Sequence, residues 1–177
     1  RIYGGAANDT LYGDDGDDIL DGGAGGDDFD GGAGFDTVSY RSVAGGITVD
    51  VDGNSDTGDA MGDLFISIER YWLGTGGDTF YGGAAAVEVW GIEGDDVLYG
   101  GTADDKLNGG IGNDTLAGSV GADEFIFSAG LSGADTITDW AGGVDIIRIY
   151  GGSADDFGDL VITDNGGNTL ITLPDGS

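Results

Sequence analysis

Gly91 to Ile126 reads GIEGDDVLY, GGTADDKLN, GGIGNDTLA and GSVGADEFI, four nine-residue units in unbroken tandem. Each carries small residues in its first half, an Asp sixth and an apolar residue eighth. Extending the frame backwards adds LGTGGDTFY (Leu73 to Tyr81) and GGAAAVEVW (Gly82 to Trp90). A second block in the same pattern runs from Gly4 to Ser39 as GGAANDTLY, GDDGDDILD, GGAGGDDFD and GGAGFDTVS. The eighth position is Leu11, Leu20, Phe29, Val38, Phe80, Val89, Leu98, Leu107, Leu116 and Phe125. The sixth is Asp9, Asp18, Asp27, Asp36, Asp78, Asp96, Asp105, Asp114 and Asp123, with Val87 the one exception.

Such a unit reads as a six-residue turn followed by a three-residue strand. In Thr10-Leu11-Tyr12 the side chains alternate outward, inward, outward, so the eighth residue faces the interior. Two units make one coil. Turn glycines supply positive φ and let carbonyl oxygens come close to a bound ion. Turns on one edge belong to units i and i+2, which sets Asp9 beside the turn of Asp27 and Asp18 beside that of Asp36. In the second block the same-edge pairs are Asp78 with Asp96, Asp96 with Asp114, and Asp105 with Asp123. The rung of Val87 lacks its carboxylate and is expected to be weak or empty. Asp17, Asp95 and Asp104, in fifth position, are expected to face water.

The units resemble the hemolysin-type, repeats-in-toxin (RTX) nonapeptide G-G-x-G-x-D-x-U-x, a calcium-binding parallel β-helix repeat. The resemblance implies an all-β, right-handed parallel β-roll. It also implies several Ca²⁺ ions, held at Asp9, Asp18, Asp27, Asp36, Asp78, Asp96, Asp105, Asp114 and Asp123. Carboxylate and carbonyl oxygens at flexible geometry favour Ca²⁺ over Mg²⁺, which demands a stricter octahedron and keeps its waters.

Composition narrows the chemistry. The 177 residues carry 34 acidic and five basic side chains, a net charge of −29, so compaction is opposed by self-repulsion unless cations intervene. Nucleic acid is excluded as a partner, because phosphate binding needs clustered Lys and Arg. With no Cys and no His there are no disulfides, no thiolate or imidazole metal sites, and no Ser–His or Cys–His nucleophile pair. Only hard oxygen ligands remain. No apolar run is long enough for a membrane-spanning helix.

Four segments follow: a first roll block (1–39), a β insertion continuing the column (40–72), a second roll block (73–126) and an antiparallel β cap (127–177). The insertion holds alternating segments at Ile47 to Val51 and Leu64 to Leu73, read as strands around the loop DGNSDTGDAMGD. Asp50, Asp52, Asn54 and Asp56 resemble the first half of an EF-hand loop. However, Ser55 stands at the required glycine and Met61 where the bidentate Glu belongs. Asp59 and Asp63 are further candidate ligands. The last segment reads as strands at Asp135 to Trp140, Val144 to Tyr150, Leu160 to Thr163 and Thr169 to Leu173, with a hairpin turn at Asp164-Asn165-Gly166-Gly167. By resemblance to caps that follow RTX rolls, Asp135 and Asp139 bind a terminal ion.

The expected function is a non-catalytic calcium-binding module that folds after secretion. The resemblance implies export by type I secretion machinery, an extracellular or cell-surface location, and covalently linked domains outside this chain. Two alternatives stand: a structural, self-assembling or adhesive element that includes polysaccharide binding, and a non-catalytic module of a secreted hydrolase or epimerase. Outward Tyr12, Tyr81, Trp90 and Tyr99 all occupy ninth positions, where they serve either packing or stacking on sugars.

Overall fold

The computed structural model describes residues 1–53, 55–128, 133–142, 144–151, 161–164 and 169–172. The first block forms β1 (Ile2–Gly5), β2 (Thr10–Tyr12), β3 (Ile19–Gly23), β4 (Asp28–Asp30) and β5 (Thr37–Ser39). The middle segment adds β6 (Thr48–Asp50), β7 (Leu64–Ile66) and β8 (Arg70–Trp72). Then come β9 (Thr79–Tyr81), β10 (Glu88–Trp90), β11 (Val97–Gly101), β12 (Lys106–Asn108), β13 (Thr115–Ser119) and β14 (Glu124–Ser128). After the repeats lie β15 (Ala134–Ile137), β16 (Ile146–Tyr150), β17 (Val161–Asp164) and β18 (Thr169–Thr172).

These strands stack as a parallel β-solenoid of about eight turns. Sheet one runs β1-β3-β5-β8-β10-β12-β14-β16 without a break. The opposite wall is divided into sheet two, β6-β9-β11-β13-β15-β18-β17, and sheet three, β2-β4-β7. Three-residue strands have no stability alone, so the fold rests on what the column buries between its walls. Each of the ten eighth-position residues is 3% exposed or less. Burying one such side chain contributes roughly 1.5–3 kcal/mol. The stacked partners are like residues in register, as Leu20 with Val38 and Leu98 with Leu116.

The regular coil is 18 residues, two units, as in Ile2 opposite Leu20 and Val89 opposite Leu107. Across the middle segment Val38 lies opposite Tyr71, a coil of 33 residues that keeps sheet one continuous. The second wall splits there because the oversized coil lays down two strands. The earlier, β6, pairs with β9, and the later, β7, pairs back with β4. Aromatic side chains fill the wider section: Phe29 stacks on Phe65 at 5.7 Å, and Tyr71 lies 5.4 Å from Phe65 and 4.9 Å from Phe80.

Two sequence expectations need correction. Leu64 to Leu73 is not one strand: the chain bends at Ser67, whose φ is 52°, and delivers β7 and β8 to opposite walls. The nonapeptide pattern ends at Ile126, but the parallel column does not, since β15 pairs with β13 and β16 with β14 in parallel register. Their coils are longer, with Leu116 opposite Ile137 and Phe125 opposite Ile147. Antiparallel pairing is confined to β18 on β15 and β17 on β18. The tip of that hairpin, Asn165-Gly166-Gly167, and the strand ends at Leu160 and Leu173 lie outside the described residues.

Candidate metal centres

Stacking turns on one edge creates a repeated contact between sixth-position residues. The backbone N–H of each donates to a carboxylate oxygen of the sixth residue one coil on. Along one edge Asp9 donates to Asp27 (2.9 Å) and Asp27 to Asp63 (2.7 Å). Beyond the split in the wall, Ile47 donates to Asp78 (2.9 Å), Asp78 to Asp96 (2.7 Å), Asp96 to Asp114 (2.9 Å) and Asp114 to Asp135 (3.0 Å). Along the other edge Asp18 donates to Asp36 (2.8 Å) and Asp36 to Glu69 (2.8 Å). Further on, Val87 donates to Asp105, Asp105 to Asp123 (both 2.9 Å) and Asp123 to Asp145 (3.2 Å).

The contact uses only one oxygen of each carboxylate. Oδ2 of Asp27, Asp36, Asp96, Asp105 and Asp114 is buried and accepts no hydrogen bond. A dry carboxylate oxygen is costly unless a proton or a cation meets it. Burial accordingly pushes the carboxyl of Asp96 up to about 8 in the metal-free chain, and those of Asp105 and Asp114 up to about 6, with neighbouring carboxylates adding to the rise. Asp135 is driven to about 8, again chiefly by burial.

First-position glycines make room for these oxygens. A Cβ on Gly22, Gly91, Gly109 or Gly118 would collide with Oδ2 of Asp27, Asp96, Asp114 or Asp123 respectively. At Gly91 it would also meet the Gly109 carbonyl oxygen, so carboxylate and carbonyl oxygens converge on the same point. These glycines serve close approach, whereas positive φ falls on others in the turn, such as Gly23 (91°) and Gly25 (143°). Among the described residues no three acidic side chains surround one point. The carboxylate and carbonyl oxygens that converge here form a hard, mixed oxygen set of the kind that suits Ca²⁺.

Other acidic residues have different duties. Asp17, Asp95 and Asp104 are exposed, as expected, and each also accepts a backbone N–H one coil on, from Phe35 (2.9 Å), Asn113 (2.8 Å) and Ala122 (2.8 Å). Fifth-position side chains thus bond forward along the stack while sixth-position carboxylates bond backward. Val87 is 5% exposed and contributes no carboxylate. With none there, the Glu69 N–H turns to the Asp36 carbonyl at 3.2 Å. Asp63 has both oxygens occupied, by the Asp27 N–H and by the buried Tyr40 hydroxyl at 2.5 Å. In the 50–63 loop Asp50 donates its N–H to Asp56 (2.6 Å) and accepts from that of Asp52 (3.1 Å), a turn network; Asn54 lies outside the described residues. Asp139 accepts the N–H groups of Gly118 (3.2 Å) and Ser119 (2.7 Å).

Glu69 and Asp145 were missed by reading the repeat alone. The second-block frame carried back one unit gives LFISIERYW, with Glu69 sixth and Tyr71 eighth, but no glycine marks it. Asp145 follows a coil lengthened to 22 residues, as Glu124 opposite Ile146 shows, and no nine-residue frame reaches it.

No helix among the described residues is long and apolar enough to cross a membrane. The family model for the RTX calcium-binding nonapeptide repeat, which spans four copies, matches residues 2–38, 72–101 and 90–125. Comparison with curated proteins gives no match.

Proposed function

This chain belongs to the RTX calcium-binding nonapeptide-repeat family, and on that premise we propose that it is a non-catalytic module whose folding is switched on by Ca²⁺ outside the cell. RTX nonapeptide repeats bind Ca²⁺, and the family is a structural module. The observation that carries the proposal is the row of buried, unpartnered Oδ2 atoms on Asp27, Asp36, Asp96, Asp105 and Asp114. They lie in turns whose first-position glycines leave space beside them. When bound, Ca²⁺ supplies the positive charge that these oxygens otherwise lack.

We assign the ligands to Asp9, Asp18, Asp27, Asp36, Asp78, Asp96, Asp105, Asp114 and Asp123, with first-half turn carbonyls completing each site. At Asp27, Asp36, Asp96, Asp105, Asp114 and Asp123 the chain's own part is to hold the carboxylate by one oxygen on a neighbouring N–H, which leaves the other toward the turn, whereas the second oxygen of Asp78 accepts the Gly74 N–H at 2.8 Å. An unfolded chain of −29 net charge and 40 glycines has no preformed site, so binding free energy appears only on folding. A site of this kind stays empty in a low-calcium cytosol and fills in a millimolar-calcium exterior. The same switch suits export of an unfolded chain through type I secretion machinery. Residues 1–39, 40–72, 73–126 and 127–177 then act as two roll blocks joined by an insertion and closed by a cap, attached to further domains.

Far-UV circular dichroism during a Ca²⁺ titration tests this, with Mg²⁺ at matched ionic strength as control. A cooperative gain of β signal with Ca²⁺ alone is expected. A chain fully folded after exhaustive chelation, or one folded equally well by Mg²⁺, overturns the switch.

A further inference from the structure

The outer face of sheet one differs from the rest of this acidic surface. Arg70, Glu88, Lys106 and Glu124 follow one another in register across four strands, an alternation of signs. Arg70 bonds to Glu88 at 3.0 Å, and Arg148 reaches back to Glu124. Arg41 and Arg70 lie over the Trp72 ring at 5.1 and 6.0 Å. Arg41, Arg70, Lys106 and Arg148 therefore gather on one wall, with Arg1 at its far end over Tyr3 and beside Asp21.

Within this wall the described residues form a groove of about 330 Å³ across β10, β12, β14 and β16. Trp90 and Tyr150 line it, with Glu88, Lys106 and Glu124 along the charged row. Its lining includes two outward-facing residues that a solenoid face normally exposes, yet Asn108 is only 4% exposed and Ile126 6%. Asn108 lines the groove with a side-chain amide, a group that offers two donors and two lone pairs. The Trp90 indole N–H is already committed to Glu88 at 2.9 Å. Tyr150 is 55% exposed.

We propose that this groove binds a neutral oligosaccharide, its rings laid against Trp90 and Tyr150 and its hydroxyls bonded to Asn108, Glu88, Lys106 and Glu124. A hydroxyl both donates and accepts. An amide, two carboxylates and an ammonium side by side match a run of such groups, while aromatic rings take the apolar ring faces. The distance from β10 to β16 is roughly 14 Å at about 4.8 Å per strand, the length of a few sugar rings. A polyanion is disfavoured by the charge of −29 around the site. β10, β12 and β14 are paired on both sides, so across most of the groove an extended peptide has no strand edge to join; only β16, the last strand of sheet one, has one. The other aromatic pair, Tyr81 and Tyr99 on sheet two, is stacked ring on ring at 5.2 Å, so those faces are turned to each other.

The full chain in saturating Ca²⁺ is titrated with neutral hexasaccharides (β-1,4- and β-1,3-glucan, α-1,4-glucan, β-1,4-mannan and an N-acetylated chitin fragment) and with an oligouronate. Tryptophan fluorescence and calorimetry report binding. Saturable binding of at least one neutral sugar is expected, weakened roughly tenfold or more by Trp90→Ala and by Asn108→Ala. Tyr99→Ala should leave it unchanged. Lys106→Ala, at an exposed position, keeps the test decisive if either of those variants fails to fold by circular dichroism; it should also weaken binding. No neutral binding, binding of the oligouronate alone, or neutral binding indifferent to all three groove variants overturns the proposal. So does self-association that occupies the groove.

Discussion

A methyl group at Gly109 has nowhere to go. Its position is taken by the Asp114 carboxylate, the group that turns Oδ2 inward. Gly109→Ala is therefore expected to weaken the Ca²⁺-loaded protein by about 2 kcal/mol, as overpacking does, and to raise the Ca²⁺ midpoint of folding. Urea unfolding in saturating Ca²⁺ reads the first effect and a calcium titration the second; an unchanged midpoint would detach this glycine from the site. Ile92 presents the opposite case. It sits in second position with φ at 83°, a left-handed conformation that costs a β-branched residue roughly 1–2 kcal/mol. Ile92→Gly should relieve that strain and stabilise the loaded protein by about 1 kcal/mol, even though glycine is the more flexible residue in the unfolded chain. A loss of stability in the same urea experiment would mean that the half-buried Ile92 side chain contributes more than its backbone costs.

At the scale of the element, the nonapeptide was legible because every constraint in it repeats. The eighth residue must be apolar to meet its partner 18 residues on, and the sixth must present an acceptor to an N–H on the same edge. What escaped the reading is what lacks repetition. The LFISIERYW unit keeps the function of its sixth and eighth positions through Glu69 and Tyr71, but it turns without glycine, helped by Ser67 in a left-handed conformation. The division of the second wall was invisible for another reason: β6 and β7 choose partners, β9 and β4, that lie far along the chain in opposite directions. Val87 provides the element-level test. Its N–H already makes the ladder bond to Asp105, and the first residue of its unit is Gly82, so only the carboxylate is missing from this rung. Val87→Asp is expected to add one Ca²⁺ equivalent by calorimetry. The chelated chain should be weaker by about 2 kcal/mol, since a buried methyl pair is exchanged for a carboxyl group. An unchanged stoichiometry would show that this edge is closed to an ion for reasons beyond the missing ligand.

For the whole molecule, protons and Ca²⁺ compete for the same role. Asp96 near 8 and Asp105 and Asp114 near 6 in the metal-free fold all stand above the ordinary value of 3.8, chiefly because burial penalises the charged form. Between those values the folded chain holds protons that the unfolded chain has released, so folding stability falls as pH rises. The contribution is fully present below about 4 and is lost as pH climbs through 6 and then 8. Acid also lowers the net charge of −29, which acts in the same direction. The chain in excess chelator should therefore gain β signal on going from pH 8 to pH 5. With Ca²⁺ present the dependence reverses, because binding must displace those protons and the calcium midpoint should rise as pH falls below 6. The two titrations, run by circular dichroism over one pH range, should cross. A chelated chain equally unfolded at pH 5 and pH 8 would mean that removing charge from these oxygens is not enough. In that case the column needs the coordination that only a metal ion provides.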